Sequence, residues 1–81
     1  MTVTVHLFAG AREAVGRDML ELELPPGATV KALRDELGER YPFAVTLLER
    51  SAIARNQEYA LDSDPISPAD EIAVIPPVSG G

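Results

Sequence analysis

The sequence predicts an α+β roll: a mixed sheet of four to five strands with one main helix packed on one face. Three observations predict it. Two stretches near the start, residues 2–8 and 18–24, alternate apolar and polar with period two. One stretch, residues 30–41, repeats its apolar residues at helical spacing. A compact apolar run, Glu71-Ile72-Ala73-Val74-Ile75, follows a proline-rich loop and is nearly apolar on both faces, which suits a central strand.

In the first strand, Val3, Val5 and Leu7 share one parity, while Thr2, Thr4, His6 and Phe8 share the other. Phe8 therefore falls on the polar face. Residues 9–16 are small and polar, enough for a short helical turn closed by Gly16. Leu20, Leu22 and Leu24 point one way from the second strand, with Met19, Glu21 and Glu23 opposite. The short link makes this strand antiparallel to the first. Pro25-Pro26-Gly27 ends it, because proline removes a ladder donor and glycine permits the turn.

Thr29 then caps a helix whose apolar stripe is Val30, Leu33, Leu37 and Tyr41. Lys31, Arg34, Asp35 and Glu39 are expected to face away from the core. Glu36 and Arg40 form a favourable i, i+4 pair. Pro42 stops the helix by forcing Tyr41 out of the α region. Gly38 costs the helix about 1 kcal/mol relative to Ala, and nothing in the sequence accounts for it. Residues 43–50 read as a half-buried turn of helix. Residues 51–55 and 58–61 are short strands around an Asn56-Gln57 hairpin tip, and 62–70 is an acidic loop. With the last strand beside the first, the helix is expected to make the crossover.

Composition excludes several functions. The chain of 81 residues is one domain, and it holds one small core without room for a deep cofactor pocket. At 46% hydrophobic and 25% charged it is globular and not disordered. A formal charge of −6 repels phosphate backbones and favours a basic protein surface, so nucleic acid is not an expected partner. No cysteine means no disulfide, no thiolate metal site and no thiol nucleophile. His6, the single histidine, is read as a surface residue and not as a metal ligand. Asp62, Asp64 and Asp70 lack the glycine and the terminal glutamate of a calcium loop. There is no secretory signal and no apolar run long enough to span a bilayer, so no membrane partner is expected and the cytoplasm is the expected compartment.

The residues after Ile75 are Pro76-Pro77-Val78-Ser79-Gly80-Gly81. Two prolines stiffen the exit from the sheet, and the arm extends up to roughly 20 Å. The expected organisation is a folded domain over residues 1–75 and a flexible tail over 76–81. Glycine has no Cβ, so Gly80 and Gly81 can enter a channel that any side chain would block. A carboxylate at Gly81 is unreactive until adenylated, and it then becomes an acyl donor.

Three stretches carry a family resemblance: Leu7-Phe8-Ala9-Gly10-Ala11-Arg12-Glu13-Ala14-Val15-Gly16, Ala54-Arg55-Asn56-Gln57-Glu58, and the run from Asp70 to Gly81. Together they resemble the small subunits of molybdopterin synthase, sulfur carriers of the ubiquitin-like β-grasp fold. The resemblance covers essentially the whole chain. Pro68-Ala69 departs from the Asp-Gly pair usual there. The resemblance implies that a ubiquitin-activating-type adenylyltransferase uses ATP to adenylate Gly81, which is then converted to a thiocarboxylate. The tail, with Gly80, Ser79, Val78 and Pro77 behind Gly81, would enter the large synthase subunit and give sulfur to cyclic pyranopterin monophosphate. It also implies a heterotetramer of two large and two small subunits, no bound cofactor and no catalysis by the small subunit alone. Arg12 and Glu13 match the family pattern, and equally suit a solvated short helix.

Parity supplies an expected docking patch. Phe8 lies on the outer face of the first strand and Ile75 shares a face with Ala73 and Glu71, so neighbouring strands bring Phe8 and Ile75 together near the tail, with Tyr59 as a third member. Other outcomes for the same tail are delivery of sulfur to thiamine, tRNA thiolation or cysteine synthesis, attachment to lysines as a protein modifier, and an inert tail on an interaction domain.

Overall fold

The computed structural model describes residues 1–77. Five strands form one sheet: β1 (Thr2–Leu7), β2 (Met19–Glu23), β3 (Ala52–Arg55), β4 (Glu58–Tyr59) and β5 (Glu71–Ile75). Their order across the sheet is β2-β1-β5-β3-β4, so the apolar run at 71–75 is the central strand. β5 runs parallel to β1 and antiparallel to β3, and β1 is antiparallel to β2. Three α-helices accompany the sheet, α1 (Ala9–Val15), α2 (Val30–Arg40) and α3 (Val45–Arg50), with a 3-10 turn at Pro42–Ala44 between the last two. The main helix is α2. The short helices α1 and α3 stand where residues 9–16 and 43–50 read as helical turns, and Gly16 closes α1 as expected. The crossover through α2 links β2 to β3, which run parallel to each other on either side of the β1–β5 pair.

The core lies between the sheet and the helices. Val3, Val5, Leu7, Leu20, Leu22, Leu24, Ile72 and Val74 come from the sheet, and Val30, Leu33, Leu37 and Leu48 from the helices. Full burial of each such side chain contributes about 1.5–3 kcal/mol. The buried parities are those read from the sequence.

Local chemistry sets the ends. Gly16 sits at φ 82° and closes α1 by donating its N–H to the Arg12 carbonyl at 2.8 Å. Thr29 accepts the Ala32 N–H at 3.3 Å as the N-cap of α2. Two further donors at that end, Val30 and Lys31, bond to the carbonyls of Asp64 and Asp62. The acidic loop thus serves α2 through its backbone. Gly38 now has a cause: a Cβ there would lie 3.2 Å from Val45 Cγ2, so α3 approaches α2 through the space a side chain would fill.

Arg34 corrects the reading that placed it facing solvent. Its Nη1 donates to the carbonyls of Leu48 at 2.8 Å and Ser51 at 2.6 Å, and its Nη2 pairs with Asp62 at 3.0 Å. Position 34 borders the apolar stripe, four residues after Val30 and three before Leu37, and the long side chain bends inward to the end of α3. A cation there also complements the carbonyls of the α3 C-terminus. Lys31 and Asp35 are exposed and paired at 3.0 Å.

A second clamp holds the start of β5. Asn56 and Gln57 form the two-residue loop between β3 and β4, at φ 54° and 70°, the signature of a type I′ turn. Asn56 exchanges backbone and side-chain bonds with Glu71: its N–H donates to the Glu71 carbonyl at 2.8 Å, and its Oδ1 accepts the Glu71 N–H at 2.9 Å. Its Nδ2 donates to Asp70 Oδ1 at 2.9 Å, while Asp70 Oδ2 accepts the Ser67 N–H at 2.9 Å. The Ser67 N–H, with Asn56 beside it, holds the Asp70 carboxyl below its ordinary 3.8.

Two measurements check these clamps. Replacing Arg34 with Ala is expected to cost about 2–3 kcal/mol in urea unfolding, and Arg34→Lys about half of that, because a lysine cannot reach three acceptors with a planar fork. The Asp70 pKa lies below its unfolded value, so its ionised form stabilises the fold above the unfolded pKa and that contribution is lost as pH falls through the folded one. The stability gap between wild type and Asp70→Asn, read from urea midpoints, is therefore expected to close as pH drops below 3.8.

Candidate functional site

The outer face of the sheet carries the site. Pairing registers place Met19, His6, Ala73, Ala54 and Tyr59 in one row across all five strands. The helices cover the opposite face, so this row faces outward. Two of its central members are alanines, and larger side chains stand around them. The result is a groove lined by Phe8, Ala54, Gln57, Tyr59, Glu71, Ala73 and Ile75. Tyr59 is 78% exposed and Phe8 49% exposed, and the two line the same groove with Ile75.

Phe8 reaches the groove for a backbone reason. It keeps extended geometry, φ −122° and ψ 155°, and so continues the alternation of β1 onto the outer face. Ala9 then turns the chain sharply into α1 at φ 48°, a left-handed conformation that costs a non-glycine residue about 1–2 kcal/mol. Because β1 and β5 are parallel, Phe8 and Ile75 lie at the same end of the sheet. Pro76 and Pro77 follow Ile75, so the chain leaves the sheet beside the groove.

The structure thus brings together Phe8 and Ile75, which parity singled out, and Tyr59, the expected third member. It adds Ala54, Ala73, Gln57 and Glu71. Ala54 and Ala73 were readable as partners of Tyr59 and Ile75 on one face, but a small residue gives no signal until larger neighbours are placed around it. Pro77 follows β5 and is exposed. The tail residues Val78, Ser79, Gly80 and Gly81 lie outside the described residues.

The remaining candidates find structural places. His6 is half-buried in a notch with Leu7, Phe8, Arg12, Asp18 and Met19. Arg12 and Glu13 are exposed on α1. Asp62 pairs with Arg34, and Asp64 and Asp70 accept backbone N–H groups of their own loop. No group of three His, Cys, Asp or Glu side chains among the described residues could hold a metal ion. No helix among them is long and apolar enough to cross a membrane.

Comparison with known proteins agrees with this geometry. The sequence matches the ThiS family over residues 5–81. It is 40% identical over 79 residues to the molybdopterin synthase sulfur carrier subunit of Arabidopsis thaliana, covering 98% of this chain and 82% of that one. The fold superposes with a TM-score of 0.87 on the small archaeal modifier protein SAMP1 of Haloferax volcanii, at 27% identity and full coverage of both chains. It also superposes, with a TM-score of 0.70, 26% identity and full coverage of both, on a chain from the complex of subunits 1 and 2 of the molybdopterin-converting factor of Helicobacter pylori. A β-grasp sheet with its main helix on one face, matched in sequence from β1 to the last glycine, places this chain in the ThiS family of ubiquitin-like proteins.

Proposed function

We propose that this protein is the sulfur carrier of a molybdopterin synthase and the non-catalytic small subunit of that complex. The observation that carries the reading is the placement of the groove. Phe8, Tyr59 and Ile75 flank the point where β5 leaves the sheet, and the residues that follow lead to Gly80-Gly81. A partner that grips the groove has the tail beside it. The name of the Arabidopsis relative and the two-subunit complex from Helicobacter support the same reading.

The chemistry belongs to Gly81. Its carboxylate attacks the α-phosphorus of ATP on an adenylyltransferase of the ubiquitin-activating type, and pyrophosphate leaves. Hydrosulfide, or its equivalent from a sulfur donor, then attacks the acyl-adenylate carbonyl and expels AMP, which leaves a thiocarboxylate. The carrier next docks its outer face on the large subunit. Val78, Ser79 and Gly80 follow Pro77 into that subunit, the terminal sulfur bonds to cyclic pyranopterin monophosphate, and water cleaves the acyl–sulfur bond to return the Gly81 carboxylate. Two loaded carriers supply the two sulfurs of the dithiolene, in an assembly of two large and two small subunits. The carrier binds no cofactor of its own, and it works in the cytoplasm. With no cysteine in the chain, sulfur cannot travel as a persulfide on this protein.

One structural likeness favours a second reading. SAMP1 is a modifier protein, and a modifier would spend the same acyl-adenylate on a lysine amine. Intact mass separates the two. Protein co-purified with the large subunit and the activating enzyme is expected to gain the mass of one oxygen-to-sulfur exchange. A lysine-linked adduct in its place overturns the carrier reading. Adding one alanine after Gly81 is expected to abolish sulfur delivery to the pterin, and full-rate delivery by that variant overturns the role of Gly81.

The groove has its own test. Phe8→Asp is expected to weaken binding of the large subunit about tenfold or more, as loss of an aromatic anchor does. Because Phe8 is half-exposed, melting should stay near that of the wild type. Loss of thermal stability with unchanged affinity would count against the groove.

A further inference from the structure

The edge strand β2 offers a second, different surface. It pairs with β1 on one side and ends the sheet on the other. Antiparallel pairs alternate between residues that exchange backbone hydrogen bonds and residues that do not. Met1 and Leu24 exchange theirs, and Leu7 donates to the Asp18 carbonyl at 2.9 Å. The register then makes Val3–Leu22 and Val5–Leu20 the bonded pairs. Met19, Glu21 and Glu23 therefore turn their N–H and C=O groups away from β1, and all three residues are exposed. The opposite edge is blunted: β4 is two residues long. Along β2 there is no proline and no bulge, so of the usual devices that protect an edge it lacks those that block backbone pairing.

What β2 has instead is charge. Glu21 and Glu23 stand on the outer face, and Glu71 lies on the same face two strands away. Glu23 is engaged by the Thr2 hydroxyl and lies 3.7 Å from the Met1 ammonium. No ion pair to Glu21 forms among the described residues. A second copy of this strand, paired antiparallel, would set glutamate against glutamate, which is destabilising. A strand with Lys or Arg at alternate positions would set cation against glutamate. The net charge of −6 favours the same partner.

We propose that the free edge of β2 accepts an extended basic segment of a partner protein, which adds a sixth strand to the sheet by bonding to the backbone of Met19, Glu21 and Glu23. Its cationic side chains meet Glu21 and Glu23, and its alternate apolar residues continue the layer of Leu20 and Leu22. The edge begins at Met19, in a notch that shares Phe8 with the groove, so one partner can hold both surfaces. This proposal does not depend on what the tail delivers.

The test uses the full chain and a short blocked peptide alternating lysine and valine. Amide hydrogen exchange at Met19, Glu21 and Glu23 is expected to slow about tenfold or more on adding the peptide. The same peptide with glutamate for lysine is expected to have no effect. Glu21→Pro removes an outward donor without touching the ladder to β1, and is expected to abolish the protection. Glu21→Lys keeps the donor and reverses the charge, and is expected to weaken the peptide about fivefold. The proposal is overturned if a saturating peptide protects none of these amides, or protects β4 instead. It is overturned equally if protection survives Glu21→Pro, or if raising the protein concentration alone produces it, which would mean self-pairing.

Discussion

The register between β1 and β5 is the constraint on which the rest of the structure depends. Leu7 sits opposite Val74 and Val5 opposite Ile72, so the buried residues of both strands point to the same face of the sheet. A slip of one residue would turn Ile72 and Val74 to solvent and Glu71 into the core. The register that fills the core is also the one that aligns Phe8 with Ile75 on the outer face. Core and groove are two sides of a single pairing. The groove therefore needs no separate stabilisation, and a change that loosens the core would disperse it.

A parallel pair cannot be closed by a tight turn. The chain between β2 and β3 must cross the sheet, and α2 does so while covering the core. Such a crossover holds only if its far end is tied down. Arg34 ties it, reaching from α2 to carbonyls at the end of α3 and to Asp62. Gly38 lets α3 come close enough for that reach. The Asn56 turn then fixes where β5 begins, by bonding to Asp70 and Glu71. Two of the stretches that carry the family resemblance, the hairpin and the start of the last strand, are thus joined through Asn56.

How much of this was legible in the sequence follows from the range of each interaction. Period-two alternation revealed β1 and β2, with Val3, Val5, Leu7, Leu20 and Leu22 on the buried side, because every residue of a strand reports its own face. Parity also gathered Phe8 and Ile75, since neighbouring strands share faces, whereas it left the face of Tyr59 open because Leu61 has the same parity. Arg34 was misread because helical spacing marks it as a flank residue, and its acceptors come from residues 48, 51 and 62, which only the folded chain brings near. Gly38 stayed unexplained for the same reason: the atom it makes room for is on Val45. The depth of the groove was invisible too, as Ala54 and Ala73 matter through what they lack. The terminal glycines were the most legible part of the proposed chemistry, and they lie outside the described residues.

The division of the outer face bears on how such a domain is recognised. Apolar groups gather at the end where β5 exits, around Phe8, Tyr59 and Ile75, while Glu21, Glu23 and Glu71 occupy the other end. A flat apolar patch alone would let a partner bind in either sense along the strands. A patch that is apolar at one end and acidic at the other fixes that sense, because the wrong orientation sets charge against an apolar surface. The groove is lined by seven residues, against the roughly 20–30 per side of a standard stable complex. A stable grip then requires either the inserted tail or an added strand along β2. In the proposed role this is an advantage, because a carrier must leave the enzyme that loads it before it reaches the subunit that empties it. Binding spread over a groove, an edge and a terminus can be strong when all three are held and weak when one is released.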